Sequence, residues 1–565
     1  MKLHRSIFVF VSLGVILGVA GSLPAQEKLP PGAKVLRIEA RPASIALKNP
    51  YDYSQVILTG QLDSGDKIDV TRMAQVQAPA NVVKVSPTGI VRPVADGQGS
   101  LKCAFAGQTI EVPIKVSGQK DRYEASFIRD IMPVLSKVGC NAGTCHGAQS
   151  GKNGFKLSLR GYDALFDHRA LTDDHGGRRF NRAAPDRSLM LLKPSGAVPH
   201  VGSVLFQPGD PYYELIKNWI AQGVKYDPQA PRVTSIDIFP KSAVMPLLGM
   251  KQQTAVLATF SDGLVRDVTA EAFIESSNTE VATADKQGLV TAVRRGEATM
   301  LARYEGNYTA ANVLVMGDRS GFVWKETPEF NYMDTLVYEK LKQVKILPSE
   351  VCTDAEFIRR IYLDLTGLPP QPDDVRKFLA DSRPTRVKRD ELVDKLVGNA
   401  DFVEHWTNKW ADLLQVNRKF LGEKSAVALR SWIRQAVATN MPYDKFAYAV
   451  LTGSGSTLEN PPAAYYKILR EPGSVMENTT QLFLAIRFNC NKCHDHPFER
   501  WTQDQYYQLS AFFAQVGRKE DPRYRGQRVG GSAVEGATPL IEVISDLKSG
   551  DMKHARTGAV TAPVF

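Results

Sequence analysis

A repeat, interrupted by residues 120–230, is the feature that most constrains how this chain can fold. Residues 63–71 read DSGDKIDVT, and residues 261–269 read SDGLVRDVT. Further matches follow at an offset that stays at 198 or 199 residues. A near-constant offset is typical of a duplicated domain. The sequence therefore predicts two copies of one domain, at 33–118 and 231–317, with a different domain inserted between them.

Both copies have the pattern of short β-strands. Apolar and polar residues alternate in VLRIEA at 35–40 and in VTSIDI at 233–238, and Asp-Gly steps supply hairpin turns. Such spacing is typical of a small β-sandwich. With their SDG and DVT turn and a late glycine, the copies resemble bacterial Ig-like group 2 domains. The resemblance implies a spacer or packing module, and contact with a cell surface or polysaccharide is the alternative.

The first 25 residues have the three parts of a secretory signal peptide. A basic start at Lys2 and Arg5 precedes an apolar stretch, 7–20, and small residues up to Ala25. An uncleaved anchor is the alternative, although the stretch is shorter than the ~20 residues of a membrane span. No later segment is apolar enough to span. We expect an exported protein, periplasmic, extracellular or on the cell surface, with no stable membrane span after cleavage.

Charge and cysteine content exclude two classes of protein. The net charge of +10 is spread along 565 residues without a run of like charges, which does not favour nucleic-acid binding. Six cysteines are too few for a disulfide-built scaffold. Four of them form two close pairs, and each pair is followed directly by a histidine: Cys140, Cys145 and His146, and Cys490, Cys493 and His494.

The first pair lies in CNAGTCHG at 140–147, between two helical patterns. In c-type haem attachment, two thiols add to the haem vinyl groups and the adjacent histidine becomes the proximal iron ligand. Segment 120–230 resembles the cytochrome c-like domains of planctomycete exported multidomain proteins. It departs from them in having four residues between the cysteines and no Met-Pro-Pro. A local disulfide or a metal site is the alternative.

The second axial ligand of the first haem is expected between the first cysteine pair and the closing helix of the segment. We favour His200, which lies 54 residues after His146. Met190 is a weaker candidate, since its surroundings, LMLL, are typical of a protein core. His168 and His175 stand among Asp and Arg residues and are expected at the surface.

The second pair forms a complete Cys-x-x-Cys-His, CNKCH at 490–494. Haem attachment is again the leading interpretation, with His494 as proximal ligand. A zinc site that uses Cys490, Cys493, His494 or His496, or a redox dithiol, is the alternative. His496 is too close to His494 to reach the opposite haem face. It is either a contact to the proximal ligand or to a propionate, or structural. His405 is a possible distal ligand.

Helical periodicity extends over 326–517. This stretch resembles the helical domain of unknown function that accompanies planctomycete cytochromes, since it has LDLTGLPP at 363–370, PYDKF at 442–446 and CNKCHDHPF at 490–498. The resemblance supports haem and export and implies no particular reaction. Residues 518–565 are predicted to be a linker or the truncated start of a further domain.

These features favour a multidomain, exported c-type cytochrome with two covalent haem c groups, serving one-electron transfer with a redox partner protein or an exported enzyme. The fold class is two Ig-like β-sandwiches flanking a small helical cytochrome c-like domain, followed by a mainly helical domain. The alternatives are a haem-dependent or polymer-degrading enzyme component, and a surface-binding or scaffold protein whose cysteines form disulfides. No arrangement of catalytic residues supports the enzyme.

Overall fold

A computed structural model describes residues 27–175, 177–317, 319, 321–496, 501–527 and 540–565. The predicted signal peptide, 1–25, lies outside the described residues. β-sandwich-like sheets form most of the N-terminal half, and helices dominate the C-terminal region, as the sequence predicts. Within the described ranges, no helix is both long and apolar enough to cross a membrane.

The first repeat forms three small sheets, in the orders β1-β4-β5, β2-β10-β9-β6 and β3-β8-β7. Alternate residues of β10 point inward, so Val112, Ile114 and Val116 are buried. This is the period-two burial expected of a sheet with one solvated face. The strands are β1 Val35–Arg41, β2 Ile45–Leu47, β3 Ser54–Gln55, β4 Ile57–Leu62, β5 Lys67–Asp69, β6 Gln75–Gln77, β7 Val83–Val85, β8 Ile90–Pro93, β9 Gly97–Phe105 and β10 Gln108–Val116.

The second repeat has the same connectivity, with sheet orders β11-β14-β15, β12-β20-β19-β16 and β13-β18-β17. In both repeats the second strand runs parallel to the last strand, β2 beside β10 and β12 beside β20. The strands are β11 Val233–Phe239, β12 Ser242–Met245, β13 Lys251–Gln253, β14 Ala255–Phe260, β15 Val265–Asp267, β16 Phe273–Ser276, β17 Ala282–Ala284, β18 Leu289–Ala292, β19 Gly296–Tyr304 and β20 Asn307–Val315.

The two repeats pack together and share one continuous cluster of buried apolar side chains. Asp69 accepts a hydrogen bond from the backbone N–H of Gln253 at 2.6 Å, and Asp267 accepts one from that of Gln55 at 2.6 Å. The two hydrogen bonds are equivalent, so the contact between the repeats is nearly two-fold symmetric. The two aspartates differ in their other partners, because Asp69 has Arg72 at 2.8 Å and Asp267 accepts from the Thr269 hydroxyl at 2.6 Å.

The inserted segment is a small helical domain. Its core contains the fully buried side chains of Phe127 and Trp219, whose ring centroids are 5.4 Å apart. Ser126 caps a short π-helical turn, Phe127–Ile131, by accepting a hydrogen bond from the Arg129 N–H. The helices are α1 Met132–Lys137, α2 Ala164–Thr172, α3 Leu189–Leu192 and α4 Pro211–Ala221.

Docking of the insertion depends on a residue that breaks the repeat. Arg266 stands where the first repeat has Ile68, and its guanidinium pairs with the buried carboxylate of Asp130 at 2.7 Å. Asp130 also accepts hydrogen bonds from the Tyr123 hydroxyl and the Ser126 N–H. The insertion also has a longer polar contact to the first repeat, where the Tyr51 hydroxyl lies 3.5 Å from the Glu214 carbonyl oxygen.

The C-terminal region consists mainly of short helices. Thr353 and Glu356 form a capping box at the start of α6, and Gly367, at a φ of +70°, ends this helix. The long α10 is interrupted at Gly422. The helices are α5 Tyr332–Gln343, α6 Asp354–Thr366, α7 Pro372–Ala380, α8 Thr385–Leu396, α9 Ala400–Leu413, α10 Arg418–Ala438, α11 Tyr443–Leu451, α12 Tyr465–Ile468, α13 Pro472–Leu484 and α14 Gln503–Ala511.

The described part of segment 518–565 is not a free linker. Its strand β23 (Glu542–Asp546) lies between β21 (Gly455–Ser456) and β22 (Val516–Glu520), and its Ile544 is buried in the helical core. A final hairpin follows, β24 (Met552–Lys553) and β25 (Val560–Thr561), and packs against α14. These strands are too short for their apolar alternation to be recognised in the sequence.

Candidate functional site

The first cysteine–histidine loop, residues 140–147, follows α1 and closes tightly on itself. The His146 N–H donates to the Cys140 carbonyl at 3.0 Å, so the five residues between them form a compact turn. Gly147 is required at its end, because a Cβ there would lie 2.1 Å from the Asn141 carbonyl oxygen. The wide cysteine spacing therefore does not separate the first cysteine from the histidine.

The His146 ring is oriented by the backbone. Its Nδ1 lies 3.0 Å from the Phe155 carbonyl oxygen, and its ring centroid is 4.5 Å from that of Phe155. Since a carbonyl only accepts, Nδ1 carries the proton and Nε2 carries the lone pair. Burial lowers the pKa of His146, and the nearby charges of His200, Arg179 and Lys193 lower it further against the effect of the Phe155 carbonyl. A metal-binding histidine has this arrangement, neutral and oriented by its other nitrogen.

All six cysteines are within the described residues, and all six thiols are free. Burial raises the pKa of the Cys140 thiol to about 12, with a further contribution from Cys145. Cys140 is therefore protonated at neutral pH. Cys490 and Cys493 differ in being exposed to solvent.

His200 and Met190, the distal candidates, lie in different surroundings. His200 is close enough to His146 to affect its pKa, and its Nδ1 is 3.4 Å from the Ser203 carbonyl oxygen. Met190 is in α3 and packs against the core of the insertion. Of the two, His200 is the residue that shares the electrostatic surroundings of His146.

The surface prediction for His168 was wrong. Its Nε2 is 2.8 Å from the Val224 carbonyl oxygen, and its ring packs against Phe127, Trp219 and Tyr226. Neighbouring charged residues in the sequence concealed this position on the inner side of α2. His175 is exposed.

The second cysteine–histidine element begins in a 3₁₀ turn, Asn489–Lys492. His494 Nδ1 lies 2.6 Å from the Asp495 carbonyl oxygen, so Nε2 again carries the lone pair. The Lys492 carbonyl accepts hydrogen bonds from the Tyr507 hydroxyl at 2.9 Å and from Gln503 Nε2 at 3.2 Å. Side chains of α14 therefore fix the turn that presents the two thiols.

Two further histidines that the sequence suggested, His496 and His405, have structural contacts. The His496 N–H donates to the Trp501 carbonyl, and the His496 carbonyl accepts from the Tyr308 hydroxyl at 2.6 Å. His405 packs over the end of α6, where a Cβ on Gly367 would lie 2.4 Å from its Nδ1. The structure thus places His405 at a helix end.

Several domains meet beside the second element, which the sequence did not predict. Tyr308 reaches it from β20. Arg556, in the final hairpin, pairs with Asp163 of the insertion at 3.3 Å and with Asp504 of α14 at 3.5 Å. His554 packs over Tyr507, with its ring centroid at 4.5 Å. No local pattern marks these residues, because their partners are distant in sequence.

The residues present fit a covalently attached haem in their donor chemistry. Each element combines two free thiols with a histidine whose Nδ1 is held by a backbone carbonyl. In the part of the chain that the structure describes, no group of three or more His, Cys, Asp or Glu side chains is placed to hold a metal ion. The donors that each element offers to a haem are therefore two thiols and one histidine.

Two cavities lie away from both elements. One, of about 440 Å³, lies between the repeats and is lined by residues that include Arg41, Phe239 and Asp267. The other, of about 430 Å³, lies beside Arg129 and Arg266. Neither is lined by a candidate cysteine or histidine.

Comparison with known proteins gives one family match. Residues 332–518 match a family described as "PSCyt2: Protein of unknown function (DUF1549)". No curated protein matches the chain. Among solved structures, domains 1–6 of the surface layer protein SbsC are 11% identical, with a TM-score of 0.14 over 50% of this chain and 28% of that chain. SbsC domains 5–6 are 11% identical, with a TM-score of 0.21 over 50% and 99%. Likenesses at these scores support no functional argument.

Proposed function

We propose that this chain is an exported c-type cytochrome that carries two covalently attached haem groups and serves one-electron transfer. The observation that carries the proposal is common to both elements. A histidine directly after a pair of free thiols has its Nδ1 at a backbone carbonyl, 3.0 Å away for His146 and 2.6 Å for His494. That contact leaves Nε2 as the nitrogen that binds iron. The family match at 332–518 names a domain of unknown function and leaves the reaction open.

Each residue has a defined role in this proposal. Each thiol would hold the haem through a thioether, in which the S–H bond has added across one vinyl group, with sulfur on one vinyl carbon and the thiol proton on the other. The Phe155 and Asp495 carbonyls hold His146 and His494 in the tautomer that can ligate iron. His200 is the distal candidate for the first haem. Haem supplies a one-electron couple, whose potential depends on the axial ligands and on burial.

Covalent attachment is tested by expressing the mature chain with the c-type maturation machinery and recording the pyridine haemochrome spectrum. We expect two haems per chain. Exchange of Cys490 and Cys493 for Ala should remove one haem, exchange of Cys140 and Cys145 should remove the other, and Cys352→Ala should remove neither. Absence of covalent haem from correctly folded protein would refute the proposal.

A surface scaffold is the second candidate function. It is favoured by buried polar contacts that hold the first three domains together. Asp69 and Asp267 accept hydrogen bonds across the interface of the two repeats, and Asp130 of the insertion forms an ion pair with Arg266. For a scaffold, we expect a folded haem-free chain after maturation, with cysteine pairs oxidised to disulfides. Thiol titration before and after reduction distinguishes this outcome from the first.

A further inference from the structure

Arg303 is a buried cation at the edge of the second element. It lies in β19, where its cross-strand neighbours are Phe273 of β16 and Tyr308 of β20. Its guanidinium carbon is 4.4 Å from the centroid of the Phe273 ring, and the residue is 9% exposed. Its Nη2 is buried and has no hydrogen-bond acceptor.

No carboxylate of the described residues forms an ion pair with Arg303, although the charge of Glu275 acts against the lowering of its pKa. Among the described residues, no carboxylate lies within ion-pair distance of Arg303 or of Lys137, the second cation over Phe273. Arg160 adds a further positive charge nearby. Burial, with a smaller contribution from Arg160, lowers the pKa of Arg303 to about 10. Arg303 is therefore still charged at neutral pH, and a largely buried charge without an ion-pair partner is unfavourable.

The position of Arg303 connects it with the second element. Tyr308, directly opposite Arg303 in the sheet, donates its hydroxyl to the His496 carbonyl. His496 is two residues from His494, the proximal candidate. Side chains of opposed residues share one face of a sheet, so Arg303 and the tyrosine that reaches this element stand on the same face.

We propose that Arg303 binds a carboxylate of the cofactor, a propionate of the haem attached at Cys490 and Cys493. A guanidinium and a carboxylate form a planar pair with two parallel hydrogen bonds, which would engage the unpartnered Nη2. The proposal rests on the proposed function, because without haem there is no propionate. The inference that Arg303 requires an anionic partner is separate and can be tested without haem.

The first test uses the full mature chain without haem, with sodium acetate as the probe and sodium chloride at equal ionic strength as the reference. We expect acetate to raise the unfolding temperature of the wild type and of Arg303→Lys. For Arg303→Met, binding should be at least about tenfold weaker. Arg294→Met, which removes an exposed arginine of the same repeat, should respond as the wild type. An equal acetate response in all variants overturns the anion site.

The second test uses the haem-loaded chain and measures reduction potentials. A nearby cation stabilises the reduced haem, so Arg303→Met should lower the potential of one haem and leave the other unchanged. The effect should vanish when Cys490 and Cys493 are both Ala. Acetate should no longer stabilise the loaded wild type, because the propionate fills the site. Unchanged potentials, or an acetate effect that persists after loading, overturn the propionate assignment. A chain that takes up no haem refutes the proposed function instead, and the acetate test still decides the anion site.

Discussion

Asp130 and Arg266 form an ion pair of 2.7 Å that joins the insertion to the second repeat. The side chain of Asp130 is fully buried, and that of Arg266 is 16% exposed. Arg129, the other cation beside Asp130, is farther away, at 3.7 Å. Arg266 is therefore the main partner of a carboxylate that solvent cannot reach.

Loss of this partner should destabilise the protein. We expect Arg266→Met to lower the free energy of unfolding by about 3 kcal/mol, because the Asp130 charge remains buried and poorly compensated. Arg294→Met, which breaks an exposed pair with Glu280, should cost less than about 1 kcal/mol. Urea unfolding measures both. Equal costs would contradict the assigned role of Arg266, and a double-mutant cycle with Asp130→Asn measures the coupling directly.

Asp267 should make stability depend on pH. Burial raises the pKa of this carboxyl from 3.8 to about 6. The folded state therefore binds its proton more tightly than the unfolded state, and stability falls as the pH rises from about 4 to about 6, by ~3 kcal/mol at most. Asp267→Asn should remove this part of the fall. Urea unfolding at a series of pH values measures it.

Asp69 is the matched control for that experiment, because it makes the equivalent contact and has Arg72 at 2.8 Å. We expect Asp69→Asn to retain the fall in stability between pH 4 and pH 6, whatever its effect on overall stability. If Asp69→Asn and Asp267→Asn change the pH profile alike, burial of Asp267 is not the cause of the slope.

The loop of the first element should be destabilised by a side chain at Gly147 but not by one at Gly143. In Gly147→Ala the new Cβ meets the Asn141 carbonyl, so the loop must shift, at a cost of about 2 kcal/mol. In Gly143→Ala the nearest atom is Leu159 Cδ1, at an ordinary 3.6 Å. Thermal unfolding should separate the two variants. In protein matured with haem, only Gly147→Ala should reduce attachment at Cys140 and Cys145.

Gly367 should tolerate a side chain less well than Gly398. Both have positive φ, of +70° and +79°, so alanine strains the backbone by about 1 kcal/mol at either position. Only at Gly367 would the Cβ also meet the His405 ring. We expect Gly367→Ala to be the more destabilising by about 1–2 kcal/mol in urea unfolding. Addition of His405→Ala should reduce the difference, and its persistence would show that the ring is not responsible.

Local patterns predicted the elements of the fold, and contacts between distant residues escaped prediction. Alternation in VLRIEA and VTSIDI identified strands, since burial of one sheet face is visible in a few residues. The docking of the repeats depends on Asp69 and Asp267, which the sequence presented only as members of a polar turn. Arg266 likewise had the appearance of a solvated turn residue.

The candidate site divides in the same way. The cysteines and histidines were found because their chemistry requires fixed spacing along the chain. The carbonyls that orient His146 and His494 could not be found, since a backbone oxygen has no sequence identity. Tyr308 and Arg303 were missed because they lie almost 190 residues before the motif they approach. His168 was misplaced because the charge of its neighbours outweighed a weak helical period.

The contact between Asp69 and Gln253 spans 184 residues and has a consequence for the order of assembly. When the first repeat and the insertion leave the ribosome, the strand that completes their interface has not yet been synthesised. Until the second repeat has been synthesised, the buried apolar cluster that the two repeats share is incomplete. Such a delay slows folding and favours aggregation. The interface between the repeats therefore cannot become protease-resistant before the second repeat has been synthesised, whatever the stability of the first repeat alone.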